Sequence, residues 1–197
     1  VFSMSIAAAA QGAASLAAHA VVMQLWMVTS YVVDGFADVG TMLGGRLLGE
    51  RNAVLFDRLV SRLSALSLAC GVAAGAAIWL SRTALAAAFT EDAETLELLR
   101  PLWPLLCLLQ PCNAIVFVYD GILYATQSFG YVRNALALGV CCVYAPLLLV
   151  AVYVQHDLLS LWLAKAALNA WRAATSLAKV HIFGSHLQAA AATSAMV

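Results

Sequence analysis

Residues 102–125 read LWPLLCLLQPCNAIVFVYDGILYA, an apolar run that contains a single charged residue, Asp120. A membrane-spanning helix needs about 20 consecutive, predominantly apolar residues, and this run is long enough. A carboxylate near the centre of a bilayer costs about 2.5–3.5 kcal/mol on insertion scales, so such groups are rare without a role. The stretch therefore predicts a transmembrane helix that carries a functional acid.

The rest of the chain repeats this apolar pattern. Of 197 residues, 64% are hydrophobic and only 10% are charged, against about 25% charged in an ordinary soluble domain. We therefore predict an all-α fold, a polytopic transmembrane helix bundle embedded in the lipid bilayer. The bundle is expected to occupy residues 1–183, with a disordered tail at 184–197. The predicted segments are the end of one helix at Val1–Ala10 and five full spans at about 16–48, 59–80, 102–125, 135–154 and 158–180.

Short polar connections separate these spans and hold most of the charges. One connection contains Glu50 and Arg51, another is the acidic stretch from Glu91 to Glu97, and a third contains His156 and Asp157. Charged residues of this kind are expected outside the hydrocarbon core. The acidic stretch is accordingly interpreted as a loop.

The composition also excludes several classes of function. The net charge is zero and the basic residues are scattered, so the chain lacks the basic patch that a nucleic-acid partner requires. The five cysteines form no C-x-x-C pair, so no metal site is expected. A membrane enzyme is disfavoured because no nucleophile–base pair is evident, and no cofactor is expected.

Asp34 and Asp38 form the first candidate site. Asp38 follows Asp34 by four positions, so both carboxylates project from one face of a helix. A close pair of carboxylates titrates as a coupled unit. Such a pair is suited to carrying a proton. The alternative is that Asp34 lies near a helix end, where it contacts lipid headgroups or pairs with Arg46.

Asp120 is the second candidate site. Pro111, nine residues earlier, is expected to kink the helix and to leave a backbone carbonyl free to face a cavity. Asn113 and Asp120 lie on one stripe of the helix, which is suited to holding a cation. The alternatives are that Asn113 and Gln110 form interhelical hydrogen bonds, and that Tyr119 is a packing or cavity-wall residue.

The last predicted span has a polar face. Lys165, Asn169 and Arg172 follow one another at helical spacing, and such a face is costly in contact with lipid. Three interpretations stay open: Lys165 and Arg172 are charge partners of the acids, they line a water-filled cavity, or the helix lies along the membrane surface.

Several separated motifs resemble one transporter family. They are Leu16-Ala17-Ala18-His19, Asp34-Gly35-Phe36-Ala37, the segment from Gly45 to Asn52, and Gln110-Pro111 followed by Asp120-Gly121. In their order and spacing they are similar to the C-terminal half of multidrug and toxic compound extrusion (MATE) transporters, in the DinF-like branch.

The resemblance implies a fold and a function. The fold would be the six-helix C-terminal lobe of a twelve-helix transporter, with its first helix truncated and the N-terminal lobe missing. The function would be antiport, exporting organic, often cationic, compounds in exchange for H⁺ or Na⁺. The family's ion-coupling acid on the tenth helix corresponds to Asp120. The resemblance allows a plasma membrane or a plastid membrane.

Two hypotheses about function follow. In the first, the chain is part of an antiporter in which the substrate and the coupling ion compete for Asp120 or for the pair of Asp34 and Asp38. In the second, it is a non-transporting helical membrane protein or a truncated gene product.

Overall fold

The computed structural model describes residues 2–182 of the chain, and within that range every regular element is helical. The all-α prediction is thus confirmed, while the predicted disordered tail lies outside the described residues. The helices are α1 (Phe2–Ala10), α2 (Ala13–Gly49), α3 (Ala53–Phe89), α4 (Ala93–Leu99), α5 (Leu102–Ala125), α6 (Phe129–Gly139), α7 (Ala145–Val150) and α8 (Leu158–His181), with π-helical turns at Val140–Tyr144 and Ala151–Gln155 on either side of α7.

Four helical segments of the described chain are long and apolar enough to cross a membrane. They are α2, α3, α5 and the continuous segment Phe129–Gln155, which contains α6 and α7. The 37 residues of α2 and of α3 make each helix about 55 Å long, which exceeds the roughly 30 Å of a hydrocarbon core. Both helices therefore extend beyond the bilayer.

The predicted span at residues 59–80 covers only the middle of the long helix α3. Hydropathy marks the part that lies in lipid, whereas the helix itself begins at a capping residue. Here Asn52 is the N-cap, and its side chain accepts a hydrogen bond of 3.1 Å from the Leu55 amide. The helix consequently starts six residues before its apolar run.

α8 has 24 residues, enough to cross a bilayer, but it is not among the four most apolar segments. Lys165, Asn169 and Arg172 lower its mean hydropathy. Asn169 is buried, so at least this part of the polar face lies inside the bundle. That α8 crosses the membrane stays a prediction.

The acidic stretch from Glu91 to Glu97 is not simply a loop, and the prediction was wrong in this respect. Most of it belongs to α4, Ala93–Leu99. The Asp92 carboxylate caps α4 by accepting hydrogen bonds from the amide and the hydroxyl of Thr95, at 2.8 and 2.6 Å. These hydrogen bonds hold the pKa of Asp92 below its ordinary value. α4 contains three leucines, and Leu99 is fully buried, but a seven-residue helix is much shorter than a membrane span, so span-length hydropathy does not detect it.

α5 lies at the centre of the bundle and packs against α2, α3 and α8. Glycines allow the close approach of α3 on one side of it. A Cβ atom added at Gly75 would lie 2.7 Å from the Cys107 carbonyl oxygen, and one at Gly71 would lie 2.8 Å from the Cα atom of Pro111. Pro111 has no amide hydrogen for the Cys107 carbonyl, and that carbonyl therefore faces Gly75. α5 continues as a helix through Pro111.

Candidate functional site

Asp120 lies in the last two turns of α5, with 9% of its surface exposed. Among residues 2–182 it is the only buried Asp, Glu, Lys or Arg. Nη2 of Arg172, on α8, donates a hydrogen bond of 2.5 Å to Oδ2 of Asp120. Since burying an unpaired carboxylate is costly, this ion pair explains how the acid is accommodated inside the bundle.

The two predicted charge partners behave differently. Arg172 pairs with Asp120, whereas Lys165 points elsewhere on the same helix, with its Nζ atom 4.4 Å from the centroid of the Trp26 ring. A cation over a Trp face is stabilised by the ring quadrupole. On the polar face of α8, Arg172 thus forms an ion pair and Lys165 forms a cation–π contact.

A small cavity of about 60 Å³ adjoins the ion pair. Its walls come from α5, α6 and α8 and combine the two charged groups with hydroxyl-bearing and apolar side chains. The lining residues are Asp120, Tyr124, Tyr131, Val132, Ala135, Leu136, Arg172, Thr175 and Ser176. A volume of this size holds water molecules or an ion but not a drug-sized compound.

A tight contact between α2 and α5 fixes the position of Asp120 along the bundle. Gly121 lies so close to Ala37 that an added Cβ atom would overlap the Ala37 backbone. The Thr41 hydroxyl donates to the Ala37 carbonyl at 2.9 Å and also approaches the Gly121 carbonyl at 3.2 Å. The glycine after the acid therefore holds this part of α5 against α2.

Asn113 and Asn169 join three helices two turns away from Asp120. The Asn113 amide donates to the Ser30 hydroxyl of α2 at 3.0 Å, and the Asn169 amide of α8 donates to the Asn113 carbonyl oxygen at 3.3 Å. Gln110 donates to the Leu106 carbonyl of its own helix at 3.1 Å. Asn113 thus makes interhelical hydrogen bonds, as the alternative interpretation describes, whereas the hydrogen bond of Gln110 stays within α5.

Comparison with known proteins identifies the family of this chain. A model of the MatE family matches residues 1–154, which is most of the chain. The chain belongs to the MatE family. The resemblance that rests on the motifs is therefore confirmed at the level of the family, and the DinF-like branch and the C-terminal position stay predictions. Four of its helical segments are apolar enough to span a membrane, and this MatE chain is a multi-pass integral membrane protein.

Relatives of this MatE chain occur in Arabidopsis thaliana. It is 29% identical over 175 residues to "Protein DETOXIFICATION 42", an alignment that covers 85% of this chain and 34% of the relative. It is 27% identical over 124 residues to "Protein DETOXIFICATION 45, chloroplastic", covering 63% and 22%. The chain thus spans about a third or less of the length of these relatives. No solved structure matches it.

The structure does not bring Asp34 and Asp38 of the MatE chain to the Asp120 cavity. Both are exposed on α2, on a face that also carries Tyr31, which is 68% exposed. Arg46, the alternative partner of Asp34, instead pairs with Glu50 at 2.7 Å. The two predicted acidic sites are therefore separate places on the molecule.

Tyr119 also lies away from the cavity. Its hydroxyl is 2.6 Å from Nε2 of His181 and accepts a hydrogen bond of 3.4 Å from the Ser64 hydroxyl. Tyr119 thus links α5 to α3 and to the end of α8. Sequence reasoning missed His181, and it also missed Tyr131 and Thr175 beside Asp120, since contacts between distant helices leave no local pattern.

Proposed function

We propose that this MatE chain forms part of a secondary active transporter that exports organic, cationic compounds in exchange for H⁺ or Na⁺. In this proposal Asp120 is the group that binds the exchanged ion. The observation that supports it is a single buried carboxylate beside a cavity, already holding a cationic side chain. Ionisable residues inside membrane bundles commonly mark ion or substrate pathways.

The proposed mechanism is charge competition at this carboxylate. One carboxylate cannot neutralise a substrate cation and a coupling ion at the same time, so binding of one releases the other. Exchange gains a direction when the site opens alternately to the two sides of the membrane. The cavity is too small for a drug-sized compound, so the substrate would contact Asp120 after the helices around it have moved, or at the mouth of a larger path.

The N-terminal lobe implied by the resemblance is proposed to cover the exposed face of α2. This face carries large side chains, among them Met42 with 66% exposure, together with Asp34 and Asp38. Gly35 and Gly45 also lie on it with open space around them, since an added Cβ atom at either would meet nothing within 4 Å. Glycines without a neighbour are suited to close packing with another helix.

A cell-based efflux assay with the full-length protein tests the proposed role of Asp120. Asp120→Asn keeps the size of the side chain and removes its charge, so we expect export of a fluorescent organic cation to fall at least about tenfold, the loss of one ionic contact. Asp34→Asn is the matched control, because it removes a carboxylate that lies exposed on α2, and it should reduce export less. Export by Asp120→Asn at the wild-type rate, with equal membrane expression, would rule out Asp120 as the exchange site.

A further inference from the structure

We infer that Arg172 is a built-in competitor at Asp120: its guanidinium occupies the carboxylate that an incoming cation must bind. This inference rests on the proposed function, and it adds a residue on another helix that sets the affinity of the site. It starts from the ion pair between α5 and α8, with 2.5 Å between Nη2 of Arg172 and Oδ2 of Asp120.

The two partners of the pair differ in their access to the surroundings. The Asp120 side chain is 12% exposed and the Arg172 side chain is 32% exposed, so the acid is the fixed, enclosed member. The guanidinium lies at the outer side on a long, flexible stem. Arg172 can therefore withdraw from Asp120 without unfolding a helix, while Asp120 cannot follow it.

The cavity gives the withdrawn guanidinium a place to go. Arg172 lines it together with Tyr124, Thr175 and Ser176, whose hydroxyl oxygens can accept hydrogen bonds. The Tyr131 hydroxyl is already engaged, because it donates to the Thr175 carbonyl at 2.8 Å. The site thus offers two positions for one guanidinium, on the carboxylate and among the hydroxyl groups.

Among residues 2–182, no other charged residue is buried. None can therefore take the place of Asp120 as the group that binds the cation. Ser30 and Thr41 of α2 and Ser64 of α3, which hydrogen-bond to α5, are neutral. Cys112 on α5 and Lys165 on α8 each lie about two helical turns from the pair, and Lys165 is held over the Trp26 ring. A cation that reaches Asp120 while Arg172 remains in place would share one negative charge with the guanidinium, so we expect displacement of Arg172 to accompany tight binding.

Competition from Arg172 lowers the apparent affinity of Asp120 for a cation, and the size of the effect can be calculated. When the binding-competent state is only a fraction of the population, the apparent dissociation constant rises by the inverse of that fraction. If the pair is intact for about nine-tenths of the time, removal of Arg172 tightens cation binding about tenfold. The gain must depend on Asp120, because Arg172 acts through that carboxylate.

Equilibrium binding of tetraphenylphosphonium to the purified full-length protein, measured by titration calorimetry in detergent, tests this inference. Arg172→Gln should bind the cation about tenfold more tightly than the wild type. Lys165→Gln is the matched control, since it removes a cation from the same helix without touching the pair, and it should change affinity far less. In an Asp120→Asn background, Arg172→Gln should give no gain.

Several results would overturn the inference. They are equal or weaker binding by Arg172→Gln than by the wild type, an equal gain for Lys165→Gln, a gain that persists without Asp120, and no binding by either the wild type or Arg172→Gln. If Arg172→Gln does not yield folded protein, Arg172→Lys takes its place, because its ammonium cannot reproduce the planar guanidinium contact and should give a smaller gain.

The inference and the proposed function can fail separately. If Asp120→Asn abolishes export while Arg172→Gln leaves affinity unchanged, only the competitor role is wrong. If Asp120→Asn exports normally while Arg172→Gln tightens binding through Asp120, the competitor role holds and the assignment of Asp120 as the exchange site is wrong.

Discussion

At the scale of single residues, Gly121 accounts for much of the geometry around Asp120. The acid pairs with Arg172 on α8, and the next residue packs against α2, where no side chain fits between Gly121 and the Ala37 backbone. The motif Asp120-Gly121 therefore combines an ionic group with the packing contact that positions it. Asp34-Gly35 has the same two residues without the contact, since nothing lies within 4 Å of a Cβ atom added at Gly35.

This difference leads to a prediction about stability. Gly121→Ala forces a methyl group into backbone and should lower the free energy of unfolding by about 1–3 kcal/mol, the usual range for overpacking. Gly130→Ala in α6, where an added Cβ atom would also meet nothing within 4 Å, should be neutral or stabilise the protein by up to about 1 kcal/mol, because alanine has the higher helix propensity. Thermal unfolding of both full-length variants in the same detergent measures the contrast. Equal melting temperatures for the two would contradict the packing described here.

At the scale of elements, the short α4 depends on its cap. A seven-residue helix is marginal by itself, and Asp92 satisfies amide and hydroxyl groups at its start. The pKa of Asp92 is lowered by these hydrogen bonds. A carboxyl group whose pKa is lower when folded contributes stability above its unfolded pKa, and that stability is lost as the pH falls through the folded pKa.

We therefore predict that Asp92→Ala speeds amide hydrogen exchange in α4 at neutral pH. Acidification of the wild type below the folded pKa of Asp92 should have the same effect after correction for intrinsic exchange rates. Glu91→Gln removes a neighbouring charge without removing the cap, so it should leave α4 protected. Equal exchange in Asp92→Ala and the wild type would show that the cap does not hold this helix.

The elements also show what could be predicted from the sequence. Hydropathy located α2, α3, α5 and Phe129–Gln155, because each contains an apolar run long enough for a bilayer. It marked only the middle of α3, because Asp57, Arg58 and Arg82 interrupt the apolar pattern near the two ends of that helix, and it overlooked α4 because seven residues are much shorter than a membrane span. Helical spacing placed Asn113 and Asp120 on one stripe, but spacing within one helix cannot tell how that helix is rotated against its neighbours.

For the same reason the sequence left the charge partners open. Lys165 and Arg172 lie on the same face of α8, and both were candidates to pair with an acid. Only the packing of α8 on α5 shows that Arg172 meets Asp120 while Lys165 meets Trp26. The exposure of Asp34 and Asp38 was equally beyond sequence patterns, because it depends on which helices cover α2.

At the scale of the whole molecule, we propose that the exposed face of α2 lies against the N-terminal lobe that the family resemblance implies. In the full-length protein, a spin label at Gly45 should be shielded from a lipid-soluble relaxation agent such as oxygen. A label at Leu149, on α7 with 55% exposure, is the control and should be accessible from lipid. A label at Gly45 that is as accessible as the one at Leu149 would contradict a lobe at this face.

We propose that Asp120 couples the movement of substrate to that of an ion. The most direct measurement is efflux of an organic cation from proteoliposomes containing the full-length protein, with and without an imposed H⁺ or Na⁺ gradient. We predict that one gradient accelerates efflux by the wild type and by Asp34→Asn, and that neither gradient accelerates efflux by Asp120→Asn. Efflux by Asp120→Asn that responds to the gradient as the wild type does would contradict it.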